Sequence, residues 1–201
     1  PCRPEVASSV DPYLEATMRC TEELKREHVH IKLALRVLDA VAVRLERGEP
    51  VLAADLDGLI EFLSVYADQC HHAKEEDCLF PALLAKGMPK EGGPIGIMFE
   101  EHVTGRGFVG RLKEAIAGRR AGRADAAAKF ATAARGYVGL LTEHIEKEDD
   151  MLFPMADDSM SRDEDLRMSQ QFQAFEVERI GAGRHEQLEE VVARLERAYL
   201  P

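Results

Sequence analysis

The sequence predicts an all-α protein, an up-down-up-down bundle of four long helices with an appended C-terminal helical hairpin. Along four long segments, apolar residues recur at spacings of three and four, the period of an amphipathic helix. Glycine and proline cluster in the short stretches between these segments, as is typical of connections. No segment alternates apolar and polar residues at every second position, so no sheet is expected. Long helices joined by short loops favour a bundle.

The first helix is predicted from about residue 17 to about residue 47, and the Gly-Glu-Pro sequence at residues 48–50 ends it. The second is predicted from about residue 54 to 84. Pro81 lies in its last turns and is expected to kink or end it, because proline lacks the N–H that a helix needs. Residues 87–94, rich in glycine and proline, form the next connection.

The third helix is predicted to begin near Ile95 and to break at residues 118–122, which include two glycines. The fourth is predicted over residues 124–151. After Pro154 the segments become more polar, and two weaker helices are expected at about residues 163–178 and 184–199. We interpret these two as a hairpin that packs on the bundle.

This organisation predicts three parts of the chain. An N-terminal extension covers residues 1–16, the four-helix bundle covers 17–156, and a C-terminal helical extension covers 157–201.

Composition excludes several classes of function. Apolar residues make up 45% and charged residues 31%, as in globular soluble proteins, and the net charge of −11 argues against a nucleic-acid partner. No apolar run approaches the roughly 18 residues of a membrane-spanning helix, and residues 1–13 do not resemble a signal peptide. We therefore expect a cytoplasmic protein with no membrane partner. Its four cysteines are expected to be reduced, since Cys70 and Cys78 lie about 12 Å apart along one helix.

An internal repeat carries the chemistry. Residues 71–81 read HHAKEEDCLFP and residues 144–154 read HIEKEDDMLFP. Aligning the two Leu-Phe-Pro tripeptides places one His-x-x-x-Glu motif over the other. A Glu-His-Val sequence precedes each motif, and its histidine lies 43 residues upstream in the first half and 42 in the second. The sequence therefore indicates one helical hairpin used twice.

The spacing predicts a dinuclear metal site. Residues i and i+4 of a helix point the same way, so each motif places an imidazole and a carboxylate on the face that also carries the apolar stripe. Buried carboxylates and imidazoles are costly unless they are paired or bind a metal. Mixed imidazole and carboxylate ligation favours iron or manganese over zinc. The predicted ligands are two bridging carboxylates and two histidines for each metal: His28, His71, Glu75, His102, His144 and Glu148.

From about Leu24 to Pro154 the chain resembles the hemerythrin-like HHE cation-binding family, whose pattern is H…HxxxE…H…HxxxE. The resemblance implies a non-haem centre of two iron ions with those six ligands, and positions left for water, an oxo or hydroxo bridge, dioxygen, peroxide or nitric oxide. The third helix departs from oxygen carriers, because Met98 stands four residues before His102 where a second histidine would be expected. The chain also lacks the Cys-Cys module of the iron-repair relatives.

Several residues near the motifs have two interpretations. His72 precedes Glu76 by four residues, so the doublet could be used in either phase, although the tripeptide alignment favours His71. His72 is then either an additional ligand or a neighbour of the ligands. Asp68 is a candidate acceptor for an imidazole N–H. Tyr137 is either a core residue or a hydrogen-bond donor beside the metals.

Three further residues receive simpler predictions. His30 points away from His28 and is not expected to be a ligand, and His185 is expected at the surface or in packing. Gly105, one turn after His102, either permits close packing of the helices or leaves room for a small exogenous molecule.

The function expected from this pattern is the handling of O2, H2O2 or NO at a di-iron centre, in oxidative or nitrosative stress. With turnover, the protein would be a di-iron oxidoreductase that consumes peroxide or nitric oxide. The alternatives are a module that binds or stores oxygen or iron without turnover, and a regulatory protein that responds to iron or oxygen.

Overall fold

The computed structural model describes residues 19–200, and every regular element in that range is a helix. The predicted all-α class is confirmed. The described residues form six helices: α1 Cys20–Glu46, α2 residues 53–85, α3 Pro94–Arg120, α4 residues 126–159, α5 Arg162–Ile180 and α6 Arg184–Tyr199. Of the predicted N-terminal extension, residues 1–16 lie outside the described range.

Two of the helices contain wide π-helical turns. In α2 these turns cover Phe62–His72 and Glu75–Leu79, and in α4 they cover Glu148–Leu152. The two shorter stretches occupy equivalent places in the repeat, each beginning at the glutamate of His-x-x-x-Glu. Such turns are rare and occur most often at functional sites.

Pro81 lies in the last turns of α2 without ending it there, because α2 continues through the proline to Ala85, one residue beyond the predicted end at residue 84. The fourth helix likewise passes Pro154 and ends at Ser159, eight residues beyond the predicted end at residue 151. Each proline is the second residue of the α-helical segment that follows a π-helical turn. The missing proline N–H therefore falls where the helix changes its hydrogen-bonding pattern, and the break that proline causes inside a regular α-helix is avoided.

Two apolar clusters lie one above the other along α1–α4. One contains Ile31 and Ala67, and the other contains Leu24 and Leu79. Along each of the helices α1, α2, α3 and α4, each buried histidine lies between residues of one cluster and residues of the other. A layer of buried polar side chains therefore separates the two clusters.

The two C-terminal helices pack against α1 and α2. Phe172 of α5 belongs to the second cluster, and Leu188 of α6 belongs to the first. Near the start of α2, the buried Asp55 accepts hydrogen bonds from Arg194 Nη1 at 2.6 Å and Tyr199 Oη at 2.7 Å. Apolar burial and a charged anchor thus hold α6 in place. Within the described range, no helix combines the length and apolarity that crossing a membrane requires.

Candidate metal centre

The polar layer brings the six predicted ligand residues together at the middle of α1–α4. Each of the six side chains is at most 1% exposed. One histidine comes from α1 and one from α3, whereas α2 and α4 each contribute a histidine and a glutamate one turn later. The full set is His28, His71, Glu75, His102, His144 and Glu148.

The four imidazoles form two close pairs. His28 Nε2 lies 3.0 Å from His71 Nε2, and His102 Nε2 lies 3.1 Å from His144 Nε2. Each pair joins one helix of a repeat unit to the other. The paired nitrogens are those that face the centre of the polar layer.

The two glutamates each span both pairs. Glu75 Oε1 lies 3.8 Å from His71 Nε2, and Glu75 Oε2 lies 3.4 Å from His102 Nε2. Glu148 Oε2 lies 3.2 Å from His28 Nε2, and its Oε1 lies 3.2 Å from His144 Nε2. The site thus contains two four-residue sets that share both carboxylates, as a pair of bridged cations requires.

The two carboxylates have the buried, incompletely paired environment that suits a cation ligand. All four oxygens of Glu75 and Glu148 are buried and lack a hydrogen-bond partner among the described residues. Leaving buried charged groups unpaired costs several kcal/mol, about the magnitude known for isolated buried ions. Nitrogen and oxygen donors in this ratio suit iron or manganese.

Without a cation, the electrostatics of the site are unbalanced. Burial and the nearby charge of Glu148 raise the pKa of Glu75 well above its usual value. Burial acts in the same direction on Glu148, but His144 and His28 outweigh it and hold that pKa well below its usual value. Burial lowers the pKa of His71 to about 4. The pocket therefore keeps one carboxylate ionised beside histidines of unequal basicity.

A carboxylate contacts the outer nitrogen of each of the four candidate ligand histidines. In the first half, His28 Nδ1 lies 2.8 Å from Asp149 Oδ1, and His71 Nδ1 lies 2.8 Å from Glu27 Oε2. A carboxylate at this nitrogen orients the ring and raises the basicity of the nitrogen that faces the metal.

The second half repeats the arrangement. His102 Nδ1 lies 2.7 Å from Glu76 Oε1, and His144 Nδ1 lies 2.9 Å from Glu101 Oε2. In each half, the glutamate of Glu-His-Val contacts the histidine of the His-x-x-x-Glu motif in the same half. The acidic residue that follows each His-x-x-x-Glu motif contacts the Glu-His-Val histidine of the other half. Sequence analysis missed all four carboxylates, although their matching positions in the two repeats were a usable signal.

Comparison with known proteins agrees with this geometry. The family model described as the hemerythrin HHE cation binding domain matches residues 20–156. The chain belongs to this family. Uncharacterized proteins of Mycobacterium tuberculosis and Mycobacterium bovis are each 25% identical to it over 187 residues, which are 93% of this chain and 72% of theirs. No solved structure matches the chain significantly.

The two halves of this HHE domain differ in what surrounds their outer carboxylates. Lys74, with no exposed side-chain surface, donates to Glu27 at 2.6 Å and to Glu176 of α5 at 2.8 Å. Its counterpart Lys147 donates to Glu101, but its side chain is 35% exposed. The C-terminal helices therefore cover the first half only.

His185 belongs to the same covered cluster. Its Nε2 lies 3.5 Å from Glu27 Oε1, and its ring stacks on Tyr66 with centroids 4.3 Å apart. The histidine thus joins α6 to the carboxylate that orients His71. His30 contacts Glu189 at 3.4 Å and none of the six residues of the centre.

His72 is buried beside the second half of the HHE centre. Its ring stacks on His102 with centroids 4.0 Å apart, and one of its nitrogens lies within 4.8 Å of a nitrogen of His102 and of His144. Both histidines of the doublet are buried, His71 at 1% and His72 at 3% exposure, and they lie at the end of the first π-helical stretch. Asp68 lies 3.6 Å from His72 Nδ1 and accepts a hydrogen bond from Arg106. It is not the acceptor for His71.

Tyr137 and Gly105 lie together beside His72. A cavity of about 280 Å³ is bounded by these three residues and by side chains of α2 and α3. A Cβ atom at Gly105 would lie in ordinary van der Waals contact with α4, 3.5 Å from Leu141 Cδ2 and 3.6 Å from Tyr137 Cε2. Tyr137 is buried on the cavity wall.

Proposed function

We propose that this HHE domain binds two iron ions and uses them to handle a small oxidant, such as dioxygen, hydrogen peroxide or nitric oxide. The observation that carries the proposal is the pair of four-residue sets that share Glu75 and Glu148. Two cations, each held by two imidazoles and two shared carboxylates, would satisfy the inward-facing atoms of these six side chains. Both metals would retain positions for a small molecule.

The ligand chemistry and the family together favour iron. The six donors are nitrogen and oxygen atoms only, which argues against a thiolate zinc site, and manganese remains the nearest competitor. When bound, iron supplies electrons and Lewis acidity to a small molecule. The chain itself orients the four imidazoles through carboxylates and keeps bulk water away from the centre.

The domain organisation is part of the proposal. We assign α1–α4 to an up-down-up-down bundle and α5 and α6 to a helical extension. The boundary predicted between residues 156 and 157 moves to the end of α4 at Ser159. Contacts of α3 with α4 and of α1 with α4 support the bundle. The contacts of Glu176 and His185 with the Lys74–Glu27 pair support an extension that packs beside the first half of the centre.

A regulatory role is the second candidate function. It is favoured by the hydrogen bonds that join α5 to Lys74 and, through Glu27, to His71. A change in iron occupancy that moved His71 would be transmitted to the helical extension. Such a device needs two arrangements of the extension, which iron would favour unequally.

Reaction of the iron-loaded protein separates these functions. The purified chain is loaded with ferrous iron without oxygen and then mixed in a stopped-flow instrument with dioxygen, hydrogen peroxide or nitric oxide. Reversible spectral change indicates carriage, and consumption of many equivalents indicates an enzyme. His144→Ala should abolish either response, and His30→Ala, which changes a histidine outside the centre, should preserve it. Equal responses from both variants would contradict the proposed site.

A further inference from the structure

The repeat is broken at one place, and the cavity lies there. Gly105 of α3 corresponds to Ile31 of α1, which is fully buried. His72 and Asp68 of α2 correspond to two buried apolar residues of α4, Ile145 and Leu141. Aliphatic side chains therefore close the side of the centre formed by helices α1 and α4. At the equivalent positions, the side formed by helices α2 and α3 carries a glycine, an imidazole and a carboxylate.

The cavity has a buried polar inner end and a charged rim. Both nitrogens of His72, a residue 3% exposed, and the hydroxyl of Ser64 lack hydrogen-bond partners within the described range. Arg106 and Lys113 lie towards solvent at the rim. Burying polar groups without partners is costly, so groups left in this state point to a polar occupant.

We propose that this cavity is the access and binding pocket for a small hydrogen-bonding oxidant of the hydrogen peroxide type, which reaches the centre on the His102–His144 side. The proposal rests on the metal centre proposed above. It adds the route, the half of the centre that the molecule meets, and the chemical class of that molecule.

The wall chemistry selects for hydrogen bonding. A neutral imidazole and a hydroxyl each offer a donor and an acceptor, and hydrogen peroxide offers both in return. Nitric oxide and dioxygen form much weaker hydrogen bonds and would leave His72 and Ser64 unsatisfied. At about 30 Å³ for each water molecule, a cavity of about 280 Å³ admits such a molecule with accompanying water.

His72 contacts the occupant and is not a metal ligand. The four ligand histidines each have their outer nitrogen 2.7–2.9 Å from a carboxylate, whereas His72 Nδ1 lies 3.6 Å from Asp68 without a hydrogen bond. Metal-bound imidazoles almost always have that second nitrogen fixed. The ring instead stands between the cavity and His102, against which it stacks.

Gly105→Ile tests the route, because it restores the residue found at the equivalent position of α1. Gly107→Ile is the matched control on the exposed side of the same helix, where a Cβ atom meets only the end of Arg111. We expect both variants to retain the parent iron content. The association rate of azide, followed by absorbance, should fall about tenfold or more only in Gly105→Ile, because access then requires local opening of packed side chains. Equal azide rates in the two variants would overturn the proposal, and Gly105→Ala provides a smaller filling group if Gly105→Ile does not fold.

Two further measurements keep this inference separate from the metal proposal. In metal-free protein, diethyl pyrocarbonate should modify His72 in the parent and in Gly107→Ile, and Gly105→Ile should protect it. Lack of modification in all three would overturn the access route whatever the iron content. In loaded protein, His72→Phe should retain iron and weaken azide binding more than nitric oxide binding. Loss of iron from His72→Phe would instead identify the residue as a ligand and overturn its assigned role.

Discussion

Glu176 of α5 accepts a hydrogen bond of 2.8 Å from Lys74 of α2, whose side chain has no exposed surface. The same ammonium neutralises Glu27, which fixes the ligand His71. Three hydrogen bonds in series thus connect Glu176 of the C-terminal extension to His71 of the proposed centre.

Lys74→Met should destabilise the fold strongly. The substitution keeps most of the side-chain volume but leaves Glu27 buried without its cation, and breaking a buried ion pair costs about 3–5 kcal/mol. Lys147→Met, at the equivalent position with a side chain 35% exposed, should cost less than about 1 kcal/mol. Urea denaturation of the metal-free proteins provides the comparison. Similar losses of unfolding free energy from the two substitutions would contradict the conclusion that the C-terminal extension covers the first half of the centre only.

Glu101→Gln should weaken metal binding without removing a ligand. The amide can no longer serve as the anionic acceptor of His144 Nδ1, and loss of such a partner typically lowers metal affinity about 10–100-fold. Competition with a chelator measures the change. The adjacent Glu100→Gln, on the exposed face of α3, serves as the control and should match the parent.

The histidine doublet should show unequal roles. His71→Ala should abolish iron binding in the first half, and His72→Ala should retain two irons. Glu75→Ala should be more damaging than Glu76→Ala, because Glu75 lies between both halves whereas Glu76 only supports His102. Metal analysis of the four proteins tests this assignment. The opposite order in both pairs would place the ligands one residue later.

Docking of α6 should weaken in acid. Although burial acts to raise it, hydrogen bonds from Tyr199 and Arg194 lower the pKa of Asp55 below its usual value. A group whose pKa is lower in the folded state adds stability above its unfolded pKa, and this contribution is lost as the pH falls through the folded value. The protection factors of the α6 amides, which are exchange rates corrected for the intrinsic dependence of amide exchange on pH, should therefore fall at low pH. Asp55→Asn should exchange faster at neutral pH and respond less to acid; an unchanged pH profile would exclude Asp55 as the anchor.

The sequence was sufficient to predict the helical class and the two His-x-x-x-Glu motifs, because both depend on local periodicity and spacing. It did not reveal Glu27, Glu76, Glu101 and Asp149 as supports of the histidines, because each of these contacts joins different helices. The π-helical turns were also missed. Simple helical periodicity assumes that such turns are absent.

The covering of the first half depends on tertiary packing in the same way. His185 was expected at the surface or in packing, and it packs on Tyr66. Its contact with Glu27 depends on the fold of the C-terminal helices and could not be read from the sequence. The cavity, by contrast, was partly predictable. Gly105 was singled out, and comparing it with Ile31 in the other repeat locates the open side of the centre.

X-ray absorption of the iron-loaded protein tests the central claim most directly, because it reports both the ligands and any neighbouring metal. The account predicts two irons per chain, nitrogen and oxygen ligands only, and an iron–iron distance of about 3–4 Å, as in other two-metal sites. Iron without a second iron within about 4 Å, at one equivalent or less per chain, would contradict a centre shared by Glu75 and Glu148.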